Sequence, residues 1–234
     1  MVYPHGSSHR SRSVGTRVLT DLVDLPAPPL KVVADWQRDI EEQLGLEPGD
    51  VETLPLARTR MRWPDLKHCM AATAQWAQSQ GLEEALAQSD PTLMACRGAR
   101  YHHDAVQYGA AAFCNLFLSE DLGLDLHFPA LQLLIPLRRG LVVLFDTGQP
   151  HAVIPRDRTV FDTADFPPQR DCNQVFLTWE MPMDNASVAK AMGVDFDLAT
   201  ETTTTSYGPS TEVQLWHQGA PVLVCPRSGA LSPA

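Results

Sequence analysis

The chain has 234 residues, of which 44% are hydrophobic and 20% charged, an ordinary globular composition. Lys and Arg number 18 against 28 Asp and Glu, a formal charge of −10, and such a balance disfavours binding to a phosphate backbone. The longest apolar stretches, at 131–137 and 141–145, fall far short of the ~20 residues a spanning helix needs, so no membrane segment is expected.

Residues 1–17 are polar and carry His5, His9, Arg10, Arg12 and Arg17. They lack the apolar core of a signal peptide and read as part of a flexible leader over residues 1–30. Residues 25–30, LPAPPL, form a Pro-rich hinge that cannot be helical. Val32, Val33, Trp36, Ile40 and Leu44 then recur at helical spacing before Gly45, which predicts an amphipathic helix over 31–44. Pro48-Gly49-Asp50 marks a turn. Residues 65–88 read as one or two Ala-rich helices, with Leu66, Met70, Thr73, Trp76 and Ala77 on one side and Gly81 as the break. The part from 31 to 90 is therefore expected to be largely helical.

Helical periodicity ends near Asp90. Short β-type runs follow at 111–118, 124–128, 131–137, 140–146, 151–155 and 173–180, separated by Gly, Pro and Asp, which suggests a β barrel or sandwich over 91–182. Residues 157–169 form a polar, Pro-bearing insertion, long for a hairpin loop. An extension over 183–234 holds a short helix at 187–192, a Thr-rich stretch at 200–210 suited to a lid loop, and two strands at 213–216 and 222–224. The whole of 31–234 is expected to be one domain. Five Cys without a CxxC pair argue for a reducing, cytoplasmic setting and against a disulfide scaffold or zinc ribbon.

Within the β region His102 and Asp104 form an H-x-D triplet, and His151 follows an apolar strand and a tight turn. On a strand, residues i and i+2 share a face, so His102 and Asp104 are expected to aim together into the barrel, with His103 pointing away. Two imidazoles and one carboxylate on one side of a metal leave its other positions open, which is the facial arrangement of non-haem Fe(II) oxygenases.

The order Tyr101-His102-His103-Asp104, the strands ending at Leu118 and Phe128, Gly140 to Asp146, and His151-Ala152-Val153-Ile154-Pro155 resembles the core of the Fe(II)/2-oxoglutarate-dependent dioxygenases. The resemblance covers about residues 92–181. It implies a double-stranded β-helix (a cupin-like jelly roll) with the N-terminal helices packed on its outside. It also implies His102, Asp104 and His151 as iron ligands, with 2-oxoglutarate and O₂ as co-substrates. In that family an Arg or Lys about ten residues after the second His pairs with the distal carboxylate of 2-oxoglutarate, and Phe161 stands there in this chain. The candidates are Arg156, Arg158 and Arg170. Arg170 is favoured over Arg156, because it precedes the last strand and shares the parity of Gln174, Phe176 and Thr178.

Asn115, in an otherwise apolar run, and Tyr108 are further candidate co-substrate contacts, with internal packing as the alternative for each. Tyr101 flanks the triplet on its other side, and Arg97 and Arg100 precede it. His127 alternates with Leu126 and Phe128 and reads as a surface or supporting residue, while His68 and His217 have no partners in the sequence. The expected activity is hydroxylation, or a related C–H oxidation, of a small molecule such as an amino acid or natural product. A cupin-type metal enzyme that does not use 2-oxoglutarate and a protein side-chain hydroxylase are the alternatives. Neither a nucleic-acid nor a membrane partner is expected, and the sequence does not set the oligomeric state.

Overall fold

A computed structural model describes residues 1–5, 8–197, 215–217 and 220–233. The Thr-rich stretch at 200–210 lies outside the described residues. Strands β1 (Val2–His5) and β2 (Ser8–Ser11) pair antiparallel, and β3 (Leu19–Leu22) joins the main sheet. Helix α1 (Leu30–Arg38) starts directly after Pro29 and runs on as a π-helical turn through Leu44. Gly45, at φ 58°, ends it in the left-handed region that glycine enters freely. Strand β4 (Val51–Leu54) leads to α2 (Leu56–Arg62), α3 (Leu66–Ser79) and α4 (Glu83–Ala87). The helices expected over 31–44 and 65–88 are thus present, with a break at Gly81.

Eight consecutive strands and one short helix follow. They are β5 (Thr92–Arg97), β6 (Ala99–His102), α5 (Ala105–Tyr108), β7 (Ala111–Phe117), β8 (Leu124–Phe128), β9 (Leu133–Pro136), β10 (Leu141–Asp146), β11 (His151–Pro155) and β12 (Asn173–Pro182). With β3 and β4 these strands form a six-stranded sheet, β3-β10-β7-β12-β5-β4, and a four-stranded sheet, β6-β11-β8-β9. Every pairing between them is antiparallel. A chain that shuttles in this order between two antiparallel sheets is a jelly roll. Helix α6 (Ala186–Met192) and a small sheet of β13 (Leu215–His217), β14 (Ala220–Val224) and β15 (Leu231–Pro233) complete the chain. No helix among the described residues is long and apolar enough to cross a membrane.

The six-stranded sheet is covered on both faces. On its outer side Trp36, Trp63, Leu66 and Trp76 of the helical part pack with Leu116, Val142, Leu144, Leu177 and Trp179. On its inner side Phe117, Val143, Phe145 and Phe176 meet Leu126, Phe128, Val153 and Ile154 of the four-stranded sheet and its surroundings. This double burial explains why β10 reads as an unbroken apolar run rather than an alternating one. The inner positions of β7 and β12 depart from that pattern. Asn115, Gln174 and Thr178 sit there, opposite in parity to the apolar Cys114, Leu116, Val175 and Leu177.

The flexible leader expected over residues 1–30 is corrected by the structure. Arg12 is completely buried, and β3 pairs with β10 from Leu19 to Leu22. The Val23 N–H then donates to Gly140 at 2.8 Å. Gly140 has φ 86°, and a Cβ on it would stand 2.2 Å from the Val23 carbonyl oxygen, so the close crossing requires glycine there. The insertion at 157–169 is likewise pinned, by Phe161 and Phe166 stacked at 5.4 Å with both rings buried.

Candidate metal centre

The ligand atoms of His102, Asp104 and His151 all lie within 4.8 Å of one another. His102 ends β6, His151 starts β11, and the two residues are paired in register across that ladder. The ladder brings the imidazoles to 4.5 Å between centroids, with the ring planes tilted by 50°. Asp104 arrives differently from the expectation. It lies past the end of β6, at the N-terminus of α5, with φ −96° and ψ 6°. Strand alternation therefore does not place it. Its N–H donates to the Thr147 carbonyl at 2.8 Å, and its own carbonyl accepts from Tyr108 at 2.8 Å. The Thr147 hydroxyl is in turn 2.7 Å from the Tyr108 carbonyl and 2.9 Å from that of Ala111.

Both imidazoles are oriented through Nδ1. His102 Nδ1 is 2.6 Å from the Arg100 carbonyl and His151 Nδ1 is 2.9 Å from that of Gln149. A carbonyl only accepts, so each Nδ1 carries a proton, and in the neutral form of either ring the bare Nε2 faces inward. Those Nε2 atoms stand 3.4 and 3.6 Å from the two oxygens of Asp104. Burial, reinforced by His102 alongside, lowers the His151 pKa to about 4. Burial also acts against the charged forms of His102 and Asp104. The hydrogen bond and charge between them outweigh it, raising the pKa of His102 and lowering that of Asp104. Two neutral nitrogens and an anionic oxygen on one side of a cavity are a fitting donor set for a divalent metal such as Fe(II).

The triad opens onto a cavity of about 450 Å³ between the two sheets. Phe145, 4.8 Å from the His151 ring, forms part of the wall with Phe113, Phe117 and Phe176. Two expected co-substrate contacts, Asn115 and Tyr108, line it. The Tyr108 hydroxyl accepts from Gln107 Nε2 at 3.0 Å.

The two expected cationic anchors, Arg156 and Arg170, do not line the cavity. Arg156 donates to Asp125 and Asp121 at 3.0 Å each, and exposed Arg170 donates to the Leu122 carbonyl at 3.1 Å. Arg97 holds the Phe166 and Pro167 carbonyls at 3.2 and 2.7 Å. Tyr101 is structural: its hydroxyl donates to the Thr159 carbonyl at 2.9 Å and accepts from His127 Nδ1 at 2.6 Å.

Sequence reasoning missed Thr92, Gln107 and Glu180 as lining residues. Thr178 and Glu180 do carry a signal in the sequence, since they are polar at the inward parity of a strand whose other parity is apolar.

No family model matches the chain, and no curated protein matches it. Among solved structures, the 2OG complex of the viral collagen prolyl hydroxylase vCPH from Paramecium Bursaria Chlorella virus-1 aligns at TM-score 0.42 and 12% identity, over 71% of this chain and 96% of that one. The non-heme alpha ketoglutarate dependent epimerase SnoN from nogalamycin biosynthesis aligns at 0.33 and 14%, over 86% and 91%. Vicilin from Corylus avellana aligns at 0.27 and 15%, over 54% and 33%. At such low scores the reading rests on the chain's own strand order and triad. These two features fit an Fe(II)/2-oxoglutarate oxygenase.

Proposed function

We propose that the chain is a mononuclear non-haem Fe(II) oxygenase that couples decarboxylation of 2-oxoglutarate to hydroxylation, or a related C–H oxidation, of a small molecule. The observation that carries the reading is the His102–Asp104–His151 group inside a jelly roll, facing a cavity between the two sheets. Iron bound there would supply the activation of O₂. His102 and His151 would hold it through Nε2 and Asp104 through its carboxylate. Asn115 and Tyr108 are the residues that would hold 2-oxoglutarate, and the phenylalanine wall would keep bulk water from the reacting groups. A cavity of about 450 Å³ suits a metabolite-sized ligand. Glu180 is the charged side chain it carries besides Asp104 and the histidines. Residues 171–234 hold Lys190 and Arg227 against seven Asp and Glu. Both features favour a neutral, zwitterionic or cationic substrate such as an amino acid or an amine-bearing natural product.

The test is release of succinate by the purified protein with Fe(II), ascorbate and 2-oxoglutarate. Absence of both turnover and divalent-metal binding would sink the proposal. A second reading, a metal-dependent enzyme on the same barrel that does not use 2-oxoglutarate, is favoured by one observation: no Lys or Arg lines the cavity. Titration of 2-oxoglutarate into the metal-loaded protein separates the two, because only the first reading requires binding.

A further inference from the structure

The wall of the cavity carries no Lys or Arg, where a dianionic co-substrate would call for a cation. All 18 Lys and Arg residues belong to the described part of the chain, and none lines the cavity. What the wall offers instead is a row of neutral polar side chains. Asn115 on β7 is in register with Thr178 on β12, which is in register with Thr92 on β5, and all three line the cavity.

Two atoms of the row lack internal partners. Asn115 is only 7% exposed, and neither its Oδ1 nor the Thr178 Oγ1 has a hydrogen-bond partner among the described residues. A buried polar atom without a hydrogen bond costs ~1–3 kcal/mol, so a wall that keeps two of them on paired residues is suited to a ligand that completes them. That ligand must bring donors as well as acceptors. A carboxylate brings acceptors only, and it also loses hydration against a wall with no cation. A carboxamide or alcohol pairs with amide and hydroxyl groups in either orientation.

We propose that the Asn115–Thr178–Thr92 row is the tail subsite for a 2-oxo acid held at the triad, and that it accepts acids ending in an uncharged amide or hydroxyl at least as well as 2-oxoglutarate. The co-substrate class thereby widens from 2-oxoglutarate to 2-oxo acids with neutral polar ends. This rests on the oxygenase reading above, since the head group is held by the metal.

The experiment is calorimetric binding to the intact protein loaded with Mn(II), using 2-oxoglutarate, its C5 amide and pyruvate, which has the chelating head and no tail. The expected result is an amide affinity equal to or above that of 2-oxoglutarate. Thr178→Val and Asn115→Ala should each weaken amide binding roughly tenfold, about one hydrogen bond's worth, and leave pyruvate binding unchanged. Thr178→Val is nearly isosteric and keeps the test sound if Asn115→Ala fails to fold. Binding of 2-oxoglutarate more than about tenfold tighter than its amide would overturn the subsite alone, as would variants that bind the amide like the parent. If Mn(II) binds but none of the three acids does, the oxygenase reading fails and this inference with it.

Discussion

Arg12 and Asp146 form a bidentate ion pair at 2.7 and 2.8 Å with both side chains wholly shielded from solvent. The pair ties the N-terminal segment to the turn that delivers His151. Asp146 also accepts from Gly15 and Gly148, and Gln149 Nε2 donates to the Gly15 carbonyl. Arg12 further donates to Gly109, just past the helix that follows Asp104, at 2.9 Å. One guanidinium thus braces both chain segments that carry the triad residues.

Removing one partner leaves the other charge buried without its ion-pair partner. Arg12→Met and Asp146→Asn should each destabilise the protein by ~3–5 kcal/mol, read from denaturant midpoints. Arg12→Met combined with Asp146→Leu should lose clearly less than the sum of the single changes. Additive losses would show that the two groups do not act as a pair.

The triad itself is tested by metal content. His102→Ala, Asp104→Ala and His151→Ala should each abolish stoichiometric Fe(II) or Mn(II) binding, measured by elemental analysis after dialysis. Retention of metal by all three variants would refute the ligand assignment. Far-ultraviolet circular dichroism should stay unchanged, because none of the three is part of an apolar cluster.

Phe145 is 1% exposed and touches the rings of His151, Phe128 and Phe113 at 4.8, 5.3 and 6.0 Å. Phe145→Ala should cost ~3–5 kcal/mol of stability through the cavity it leaves. It should also weaken metal binding, since the His151 ring loses the face that fixes it. Thermal melts and a metal titration of the same variant read the two effects separately.

The metal-free protein should lose stability as the pH falls from about 6.5 toward 4. His151 has its folded pKa lowered to about 4 by burial, whereas an unfolded histidine protonates near 6.5. The unfolded state therefore takes up a proton in this window that the folded state refuses, which favours unfolding. His102, whose pKa is raised, acts in the opposite direction and loses its contribution as the pH rises above its folded value. Urea unfolding at pH 7.5 and 5 checks the balance. His151→Leu should flatten the acid limb, and an unaltered limb in that variant would place the effect elsewhere.

Much of the fold is legible along the chain. Helical spacing of Val32, Trp36 and Ile40 marks α1, and turn residues bracket the strands later seen as β7, β8, β10, β11 and β12. These are short-range properties, set by which residues repeat every 2 or 3.6 positions. The triad residues were legible for a related reason, as a local H-x-D and a His that opens a strand. The argument from alternation for Asp104 did not hold, because β6 stops at His102 and a bond to Thr147 places the carboxylate instead.

The sequence by itself determined α1, the helices over 65–88 and the strands β7, β8, β10, β11 and β12, the identity of the three triad residues, and the polar residues at inward parity. The tertiary structure alone decided which charges are absent from the cavity. Parity favoured Arg170, yet the Phe161–Phe166 stack folds the insertion so that Arg170 reaches the Leu122 carbonyl, while Arg156 is drawn to Asp121 and Asp125. It also decided that a polar leader residue, Arg12, would be buried against Asp146, 134 positions away. Parity and periodicity act between neighbours in sequence. The pairing of a buried charge is settled by whichever distant group the packing brings within hydrogen-bond reach, and only the folded chain contains that information.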